Sequence, residues 1–385
     1  MKRQDFLKIA GAAAGCSLVS LRSGFAQAAR SGAGKTRVSV KLLDLQLRHS
    51  WGLSRGTWTT RRNAFVRVER DGTVGLGEAA PIARYGEGAE GAAAFIEKSR
   101  PVLERDLWEY AARWNELEAL APGEHAAKAA LDMAMLDWAG KKLNVPLWKL
   151  LGLSRGAALT TTYSIGIDEI PVMQQKVREA ADFGVYKVKV GTKDDRRIIE
   201  GIRAVTAKPL RADANEGWKS KEEALEMIDW MAGQGVELVE QPLPAAMLKD
   251  HAWLKERSRL PLFADESLMK ASDIPAIAPY FHGLNIKLMK CGGVQEAIRM
   301  AAMARALGLR LMIGCMIESS LGISAAAALT PLFDHADLDG NLLISNDPFR
   351  GVRTDKDRLV LGDGPGLGVE GDVWTAAAVS GRTGS

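Results

Sequence analysis

The sequence lacks several features that would indicate particular classes of protein. It has three cysteines, and the two beyond the N-terminal segment, Cys291 and Cys315, cannot form a disulfide framework, so we expect buried free thiols. No run of five or more like charges occurs, and the net charge of +4 is small for 385 residues, so nucleic-acid binding is not expected. Beyond the N-terminus no apolar stretch is long enough for a membrane span.

The composition indicates a globular protein of enzyme size. Apolar residues make up 47% of the chain and charged residues 25%, which is typical of a folded protein. Because 385 residues exceed one ordinary hydrophobic core, we expect two domains.

Residues 1–28 are predicted to be a signal peptide. Residues 2–8 carry three basic side chains, residues 9–21 are apolar, and Ala26-Gln27-Ala28 is a small-residue cleavage site. We therefore expect an exported, periplasmic protein. Arg3-Gln4 resembles a twin-arginine signal with glutamine in the second position, so the twin-arginine and general secretory routes both stay open.

An α+β module is predicted for residues 36–155. Residues 65–68 show the alternation of a strand, and Asp71-Gly72 is a favoured hairpin turn. Helical periodicity extends from about residue 89 to residue 151. An antiparallel sheet followed by helices is the expected structure.

Residues 160–348 are predicted to form an α/β barrel of the TIM type. Amphipathic helices, for example at 170–183, 221–233 and 294–307, alternate with short strands. The eight predicted strands are 161–165, 185–190, 210–214, 236–239, 262–264, 284–288, 309–313 and 332–336. Repeated βα units give parallel strands, and eight units of this length favour a closed (β/α)8 barrel over an open sheet. The eighth helix is poorly signalled, so we expect a barrel that is modified at its end.

The C-terminal segment, residues 349–385, is expected to return to the first module. Its glycine run at 362–368 follows no strand-to-helix transition, so it does not match a phosphate-binding loop.

Two lysines share one face of the second barrel strand. Successive side chains of a strand point to opposite faces, so Lys187 and Lys189 lie together and Val188 and Val190 lie on the other face. An exposed edge strand is one alternative. If the lysines are interior, they require acidic partners, because unpaired buried charges are costly.

Three acidic residues follow the next three strands, one βα unit apart. They are Asp213, Glu240 and Asp265, and Lys287 ends the sixth strand. Catalytic groups of such barrels lie at the C-terminal ends of strands. Three converging carboxylates would repel one another without a cation, whereas with Mg²⁺ they form an oxygen site open to substrate. The alternative is that the three acidic residues are independent helix N-caps or solvated loop residues.

The predicted arrangement suits proton transfer at the α-carbon of a carboxylate substrate. Lys189 and Lys287 would lie on opposite sides of the metal, so one could remove the α-proton from one face while the other reprotonates the opposite face. Mg²⁺ and Lys187 would stabilise the ene-diolate.

These residues resemble the enolase superfamily, in its muconate-cycloisomerase subgroup, and within it the dipeptide epimerases. A Lys base with Mg²⁺ is an established arrangement in that superfamily. The similarity covers nearly the whole mature chain. It is carried by residues 75–79 of what would be a capping domain, the Lys-x-Lys pair, and the motifs at 211–218, 239–242, 264–267, 285–293 and 313–318. None of the five histidines, His49, His125, His251, His282 and His335, falls where the base of the mandelate-racemase pattern would lie.

The resemblance assigns substrate-binding roles to three residues. It implies that Asp337 and Asp339 bind the free α-ammonium of a dipeptide. The alternative is a solvated turn, because the sequence Asp-x-Asp-Gly also favours turns. It implies that Arg55 contacts the carboxylate of the substrate side chain, and Arg61 and Arg62 are alternative candidates for this contact. Residues implied to orient the metal or the lysines are Asn215, Glu266 and Glu318.

The expected function is that of an exported Mg²⁺-dependent dipeptide epimerase, an isomerase acting on L-Ala-D/L-Glu from cell-wall peptide, and a homo-oligomer is expected. Another activity of the subgroup is the alternative: N-succinylamino acid racemase, o-succinylbenzoate synthase or muconate cycloisomerase. A catalytically silent binding protein is a third hypothesis.

Overall fold

A three-stranded antiparallel sheet begins the fold. The computed structural model of the chain describes residues 35–374, so the predicted signal peptide lies outside the described residues. The strands are β1 (Arg37–Leu53), β2 (Gly56–Arg70) and β3 (Thr73–Ala79), in the order β1-β2-β3. Asp71 and Gly72 both have positive φ, as the predicted hairpin turn requires.

Helices of the first module pack on this sheet. They are α1 (Ala89–Lys98), α2 (Arg100–Leu103), α3 (Tyr110–Leu120), α4 (His125–Leu143) and α5 (Leu147–Leu150), with 3₁₀ turns at Ala83–Tyr85, Leu107–Glu109 and Arg155–Ala157. Two glycines let β3 approach α4 closely. A Cβ atom on Gly75 or on Gly77 would lie 1.9 Å from a carbonyl oxygen of α4, that of Ala134 or Ala130.

Eight parallel strands form the barrel in sequence order. They are β4 (Tyr163–Ile165), β5 (Tyr186–Lys189), β6 (Leu210–Asp213), β7 (Val236–Glu240), β8 (Leu262–Ala264), β9 (Gly283–Lys287), β10 (Arg310–Gly314) and β11 (His335–Asp337). Just before β4, the Thr162 backbone N–H donates to the Ala336 carbonyl at 3.2 Å, which joins the first strand to the last. The prediction of a modified TIM-type barrel with an α+β capping domain is confirmed.

Helices cover the outside of the barrel. They are α6 (Ile170–Glu179), α7 (Asp195–Arg203), α8 (Lys221–Gly233), α9 (Leu248–Arg257), α10 (Ile274–Ile277), α11 (Leu288–Cys291), α12 (Val294–Ala306) and α13 (Ser320–Ala327), with 3₁₀ turns at Ala271–Asp273, Ala278–Tyr280 and Thr330–Leu332. In the described part of the chain no helix follows β11, in agreement with the weak signal there.

Two predicted boundaries differ from the structure by three residues or more. The eighth strand starts at His335 and not at residue 332, because residues 330–332 form a 3₁₀ turn that contains a proline, and proline cannot donate to a strand ladder. The helix predicted for 170–183 ends at Glu179. Ala180 and Phe183 are buried beyond its end, so the apolar pattern continues where the helix does not.

The C-terminal segment contacts the first module. Its strands are β12 (Phe349–Arg350), β13 (Arg353–Asp355), β14 (Arg358–Val360) and β15 (Glu370–Gly371). The Trp148 Nε1–H donates to the Gly362 carbonyl at 3.0 Å, and the Leu367 N–H donates to Asp137 Oδ1 at 2.8 Å. Within residues 35–374, none of the helices has the length and apolar character of a membrane-spanning segment.

Candidate active site

A cavity of about 400 Å³ lies at the C-terminal ends of the barrel strands, under the hairpin of the first module. The hairpin is formed by β1 and β2, whose pairing ends at Leu53 and Gly56, on either side of the turn at Ser54-Arg55. Residues of both modules line the cavity, including Trp51, Arg55, Arg61, Lys187, Lys189, Lys287, Asp337 and Asp339. The spacing along the barrel therefore brings the predicted lysines and Asp-x-Asp acids into one space.

Three buried carboxylates form a cluster at this end of the barrel. Asp213 ends β6, Glu240 ends β7, and Asp265 follows β8. One oxygen of each lies within 4.8 Å of the others. Burial and repulsion from Asp213 raise the pKa of Glu240. Buried, mutually repelling carboxylate oxygens are a donor set suited to a hard divalent cation, so the residues present fit Mg²⁺.

The three predicted lysines surround this cluster. Lys187 Nζ lies 2.8 Å from Glu240 Oε2 and 3.1 Å from Asp213 Oδ2. Lys189 Nζ donates to Asp213 Oδ2 at 2.6 Å, and Lys287 Nζ donates to Asp265 Oδ2 at 2.7 Å. Lys189 and Lys287 therefore contact opposite ends of the row of carboxylates. The edge-strand alternative is excluded, because β5 pairs with both β4 and β6.

Charge pairing raises the pKa of two of these lysines, Lys187 and Lys287. Burial alone would lower the pKa of Lys187, but Asp337, Glu240 and Asp213 raise it well above its ordinary value. Burial likewise opposes the charge of Lys287, and Asp265 raises its pKa. The carboxylates thus favour the charged forms of Lys187 and Lys287, and a cation in the cluster would oppose this effect by adding positive charge.

The Asp-x-Asp acids lie at the end of β11 and have different partners. Asp337 Oδ2 accepts a hydrogen bond from Lys187 Nζ at 2.7 Å. Asp339 Oδ2 accepts one from the Ser164 N–H at 2.6 Å, and it has no cationic partner within residues 35–374. Burial and repulsion from Asp337 raise the pKa of Asp339 to about 7. Both acids are buried, so the alternative of a solvated turn is wrong.

Arg55 reaches the cavity but is already bound to protein groups. Its Nη1 donates to Glu266 Oε1 at 2.7 Å and to the Asn215 carbonyl at 3.0 Å. Asn215 in turn donates to Glu266 Oε1 at 3.1 Å, and its backbone N–H donates to Asp213 Oδ1 at 3.0 Å. Asn215 and Glu266 therefore link the capping hairpin to the carboxylate cluster.

Glu318 is placed differently from the other predicted orienting residues. Its Oε1 accepts from the Met316 N–H at 2.7 Å, and in the described part of the chain it forms no ion pair with a lysine. Burial and repulsion from Glu78 raise the pKa of Glu318 to about 8. Among the described residues Glu318 therefore makes no hydrogen bond to the carboxylate cluster, and its interaction with Lys287 is electrostatic only.

Two residues that contact the cluster were missed by the sequence reasoning. Asn285 Nδ2 donates to Glu240 Oε1 at 2.8 Å, and Lys290 Nζ donates to the Asp265 carbonyl at 2.6 Å. Asn285 shares a strand face with Lys287, two residues away, and that alternation could have identified it. The position of Lys290 next to Asp265 depends on the short helix α11, which no periodicity in the sequence indicated.

Comparisons with known proteins give the family. Residues 172–376 match the family described as "Enolase C-terminal domain-like", and residues 37–152 match "Mandelate racemase / muconate lactonizing enzyme, N-terminal domain". The L-Ala-D/L-Glu epimerase of Bacteroides thetaiotaomicron is 43% identical over 87% of this chain and 88% of its own. The L-Ala-D/L-amino acid epimerase of Pedosphaera parvula is 46% identical over 84% of this chain and 95% of its own.

A solved structure gives the same family. The dipeptide epimerase from Enterococcus faecalis V583, complexed with Mg and the dipeptide L-Leu-L-Tyr, superposes with a TM-score of 0.83 at 32% identity. The match covers 88% of this chain and all (100%) of the other. The chain is therefore an isomerase of the enolase superfamily, a member of its mandelate racemase/muconate lactonizing enzyme family that resembles the dipeptide epimerases.

Proposed function

We propose that the protein is a Mg²⁺-dependent dipeptide epimerase that inverts the α-carbon of the C-terminal residue, with L-Ala-D/L-Glu as its substrate. The observation that carries this proposal is the buried Asp339, which has no cationic partner in the described part of the chain and lies in the same cavity as Lys189 and Lys287. A dipeptide offers a free α-ammonium that would neutralise this carboxylate. N-acylated substrates lack that group.

Asp213, Glu240 and Asp265 would hold the metal. When bound, Mg²⁺ would supply positive charge that binds the substrate carboxylate and stabilises the negative charge developing there during proton transfer. Lys187, whose pKa is raised by its acidic neighbours, stays charged and adds to that stabilisation.

The two remaining lysines would move the proton. Lys189 and Lys287 contact opposite ends of the carboxylate row, so a substrate between them presents one face of its α-carbon to each. One lysine takes the proton and the other donates one to the opposite face, and the roles exchange for the other epimer. The hairpin residues Trp51 and Leu53 cover the cavity and would exclude water from the reacting carbon.

Proton exchange in D₂O tests this proposal directly. With Mg²⁺ and L-Ala-L-Glu, we expect the C-terminal α-proton signal to disappear in the ¹H NMR spectrum while the N-terminal α-proton signal is retained, with appearance of the second epimer. N-acetyl-L-Ala-L-Glu is the matched control, because it differs only at the ammonium. Exchange of the acetylated compound at an equal rate would contradict the proposal, and exchange of N-succinylamino acids alone would assign the racemase activity.

We also propose export to the periplasm, on the sequence pattern of residues 1–28. Mass spectrometry of the protein from a periplasmic fraction should find a mature N-terminus near Ala29. An uncleaved protein found only in the cytoplasm would contradict this.

A further inference from the structure

An acidic side chain of the first module reaches into the barrel. Glu78 lies on β3 and is fully buried. It accepts hydrogen bonds from the backbone N–H groups of Ser319 and Gly322, at 2.9 and 3.0 Å, and from the Ser319 hydroxyl. Asn63 Nδ2 donates to Glu78 Oε1 at 2.8 Å. Four donors therefore surround the Glu78 carboxylate, and hydrogen bonds of this kind favour its ionised form.

Glu318, from the loop after β10, lies beside Glu78 but has few donors. Both carboxyl groups are buried and line the same small space. A Cβ atom on Gly322 would lie 2.5 Å from Glu318 Oε2 and 3.1 Å from Glu78 Oε2. Glu318 Oε1 accepts from the Met316 N–H at 2.7 Å, whereas Oε2 has no hydrogen-bond partner within residues 35–374. The unsatisfied oxygen therefore faces the other carboxyl group.

The surroundings assign the proton of this pair to Glu318. Two ionised carboxyl groups in one buried space repel each other, so one of them is favoured as the neutral acid. Burial and repulsion from Glu78 raise the pKa of Glu318 to about 8. Burial raises the pKa of Glu78 as well, but its four hydrogen bonds oppose that rise. A proton on Glu318 Oε2 is also directed at an acceptor, Glu78 Oε2.

The other groups around the pair contribute little charge. Lys287 of β9 lowers the pKa of Glu318 without forming an ion pair with it in the described part of the chain. The Cys315 thiol stays neutral, because burial and its acidic neighbours raise its pKa well above its ordinary value. Helix α13 has no charged side chain, β2 presents the neutral Asn63, and α11 presents Met289. The charge of the pair is therefore set mainly by its own proton.

The pair lies where the first module holds one wall of the active-site cavity. This wall segment, residues 315–319, lines the cavity through its first three residues. Asn63 donates to the Ile317 carbonyl at 3.0 Å, and the Ser319 N–H donates to Glu78 at 2.9 Å. Repulsion between Glu78 and an ionised Glu318 would act directly across these contacts.

We propose that Glu318 and Glu78 form a carboxyl pair that holds one proton, and that this proton keeps the wall segment attached to the first module. When Glu318 Oε2 loses the proton to water, two buried negative charges face each other, and the wall segment separates from β3. The wall of the cavity is thus a pH-dependent element that is released toward alkaline pH. This inference goes beyond the proposed epimerase function and does not depend on it.

Hydrogen–deuterium exchange of the Mg²⁺-loaded full-length protein tests the inference. Attached Glu318 has a pKa of about 8, whereas a solvated glutamate has one of about 4.3. Attachment therefore weakens as the pH rises between these values and levels off above pH 8. After correction for intrinsic exchange rates, the protection of residues 315–322 should fall about tenfold per pH unit between about pH 5 and 8. Mass spectrometry of the peptides measures this protection.

Two variants assign the pH dependence to its source. E318Q keeps the shape of the side chain but cannot lose a proton, so the protection of its wall segment should not fall with pH. D339N is the matched control, because Asp339 is another buried acid of the same cavity with a raised pKa, and D339N should keep the fall. Infrared spectroscopy detects the proton itself: the difference spectrum between wild type and E318Q at pH 6 should contain the carbonyl band of one protonated carboxyl group.

Several results would overturn the inference. They are wild-type protection of the wall segment that does not change with pH, a fall that persists in E318Q, a fall that disappears in D339N, and an infrared difference spectrum without the carboxyl band. If E318Q does not fold, the wild-type and D339N profiles still decide. None of these measurements uses a substrate, so a failure of the proposed function would leave their outcome unaffected.

Discussion

Lys187 and Asp337 form a buried ion pair, with 2.7 Å between Lys187 Nζ and Asp337 Oδ2. The pair joins β5 to the end of β11 across the inside of the barrel. Burial alone would raise the pKa of Asp337, but Lys187 holds it below its ordinary value. The neighbouring Asp339 has no such partner in the described residues, and its pKa is raised to about 7. Two acids separated by one residue are thus expected to respond differently to mutation.

Asp337→Asn should destabilise the protein, whereas Asp339→Asn should not. Removing one partner of a buried pair leaves Lys187 with less counter-charge, at a cost of about 3 kcal/mol.

Ionised Asp339 has a cost in folding stability, because its native pKa of about 7 exceeds the unfolded value. That cost is fully present above pH 7 and is lost as the pH falls toward 4. Thermal unfolding at pH 8 and pH 5 should show a higher Tm for D339N than for the wild type at pH 8, with a smaller difference at pH 5. A lower Tm for D339N at pH 8 would contradict this assignment of charge.

Binding of the dipeptide should weaken as the pH falls through about 7. Protonated Asp339 cannot pair with the substrate ammonium, and its pKa lies near 7, so KM for L-Ala-L-Glu should rise about tenfold for each pH unit below that value. D339N should have a higher KM that lacks this acid limb. An unchanged acid limb in D339N would show that another group controls it.

Lys189→Ala and Lys287→Ala should each abolish epimerisation, with a loss in kcat of about 10³-fold or more, because each removes one of two acid/base groups. The two variants should differ in exchange: each should retain deuterium uptake from one epimer of L-Ala-Glu, and from opposite epimers. Lys193, exposed on the loop after β5, provides the control K193A, which should behave as the wild type. Full epimerisation by either active-site variant would refute the two-base mechanism.

The positions of the site residues could be predicted because barrel geometry converts sequence spacing into proximity. One βα unit separates Asp213, Glu240 and Asp265, and each therefore lies at the same end of a neighbouring strand. Strand alternation likewise predicts that Lys187 and Lys189 point inward together. Neither inference required knowledge of loops.

Contacts made by loops could not be predicted in the same way. The pairing of Arg55 with Glu266 depends on how the β1–β2 hairpin lies over the barrel. The pairing of Lys187 with Asp337 depends on closure between the first and last strands. Sequence spacing indicates neither, because both contacts cross between elements that are distant along the chain.

Mg²⁺ should stabilise the protein as well as support its activity. Three mutually repelling buried carboxylates gain from a cation, and a ligand present at 100 times its Kd adds about 2.7 kcal/mol to the free energy of unfolding. Treatment with EDTA should abolish proton exchange and lower the Tm, and added Mg²⁺ should restore both.

The control for this prediction is Glu237, which lies on β7, the same strand as the proposed metal-binding residue Glu240. Glu240→Gln should remove the Mg²⁺-dependent rise in Tm, whereas Glu237→Gln, which changes a half-exposed acid on β7, should keep it. A rise that persists in E240Q would place the stabilising ion elsewhere.

Gly77→Ala should destabilise the junction between the sheet and helix α4. Its Cβ atom would lie 1.9 Å from the Ala130 carbonyl oxygen, and because that atom belongs to the helix backbone, β3 or α4 must move. Overpacking of this kind costs about 3 kcal/mol. Movement of β3 also displaces Glu78, which accepts hydrogen bonds from the backbone N–H groups of Ser319 and Gly322 in the barrel at 2.9 and 3.0 Å, so the cap and the barrel should loosen together.

Gly233→Ala is the matched control: a Cβ there meets nothing within 4 Å, and alanine favours the helix by about 0.5 kcal/mol or more. Calorimetry should find a clearly lower Tm for G77A and an equal or higher Tm for G233A. Equal Tm values for the two variants would mean that the close approach of β3 to α4 does not limit stability.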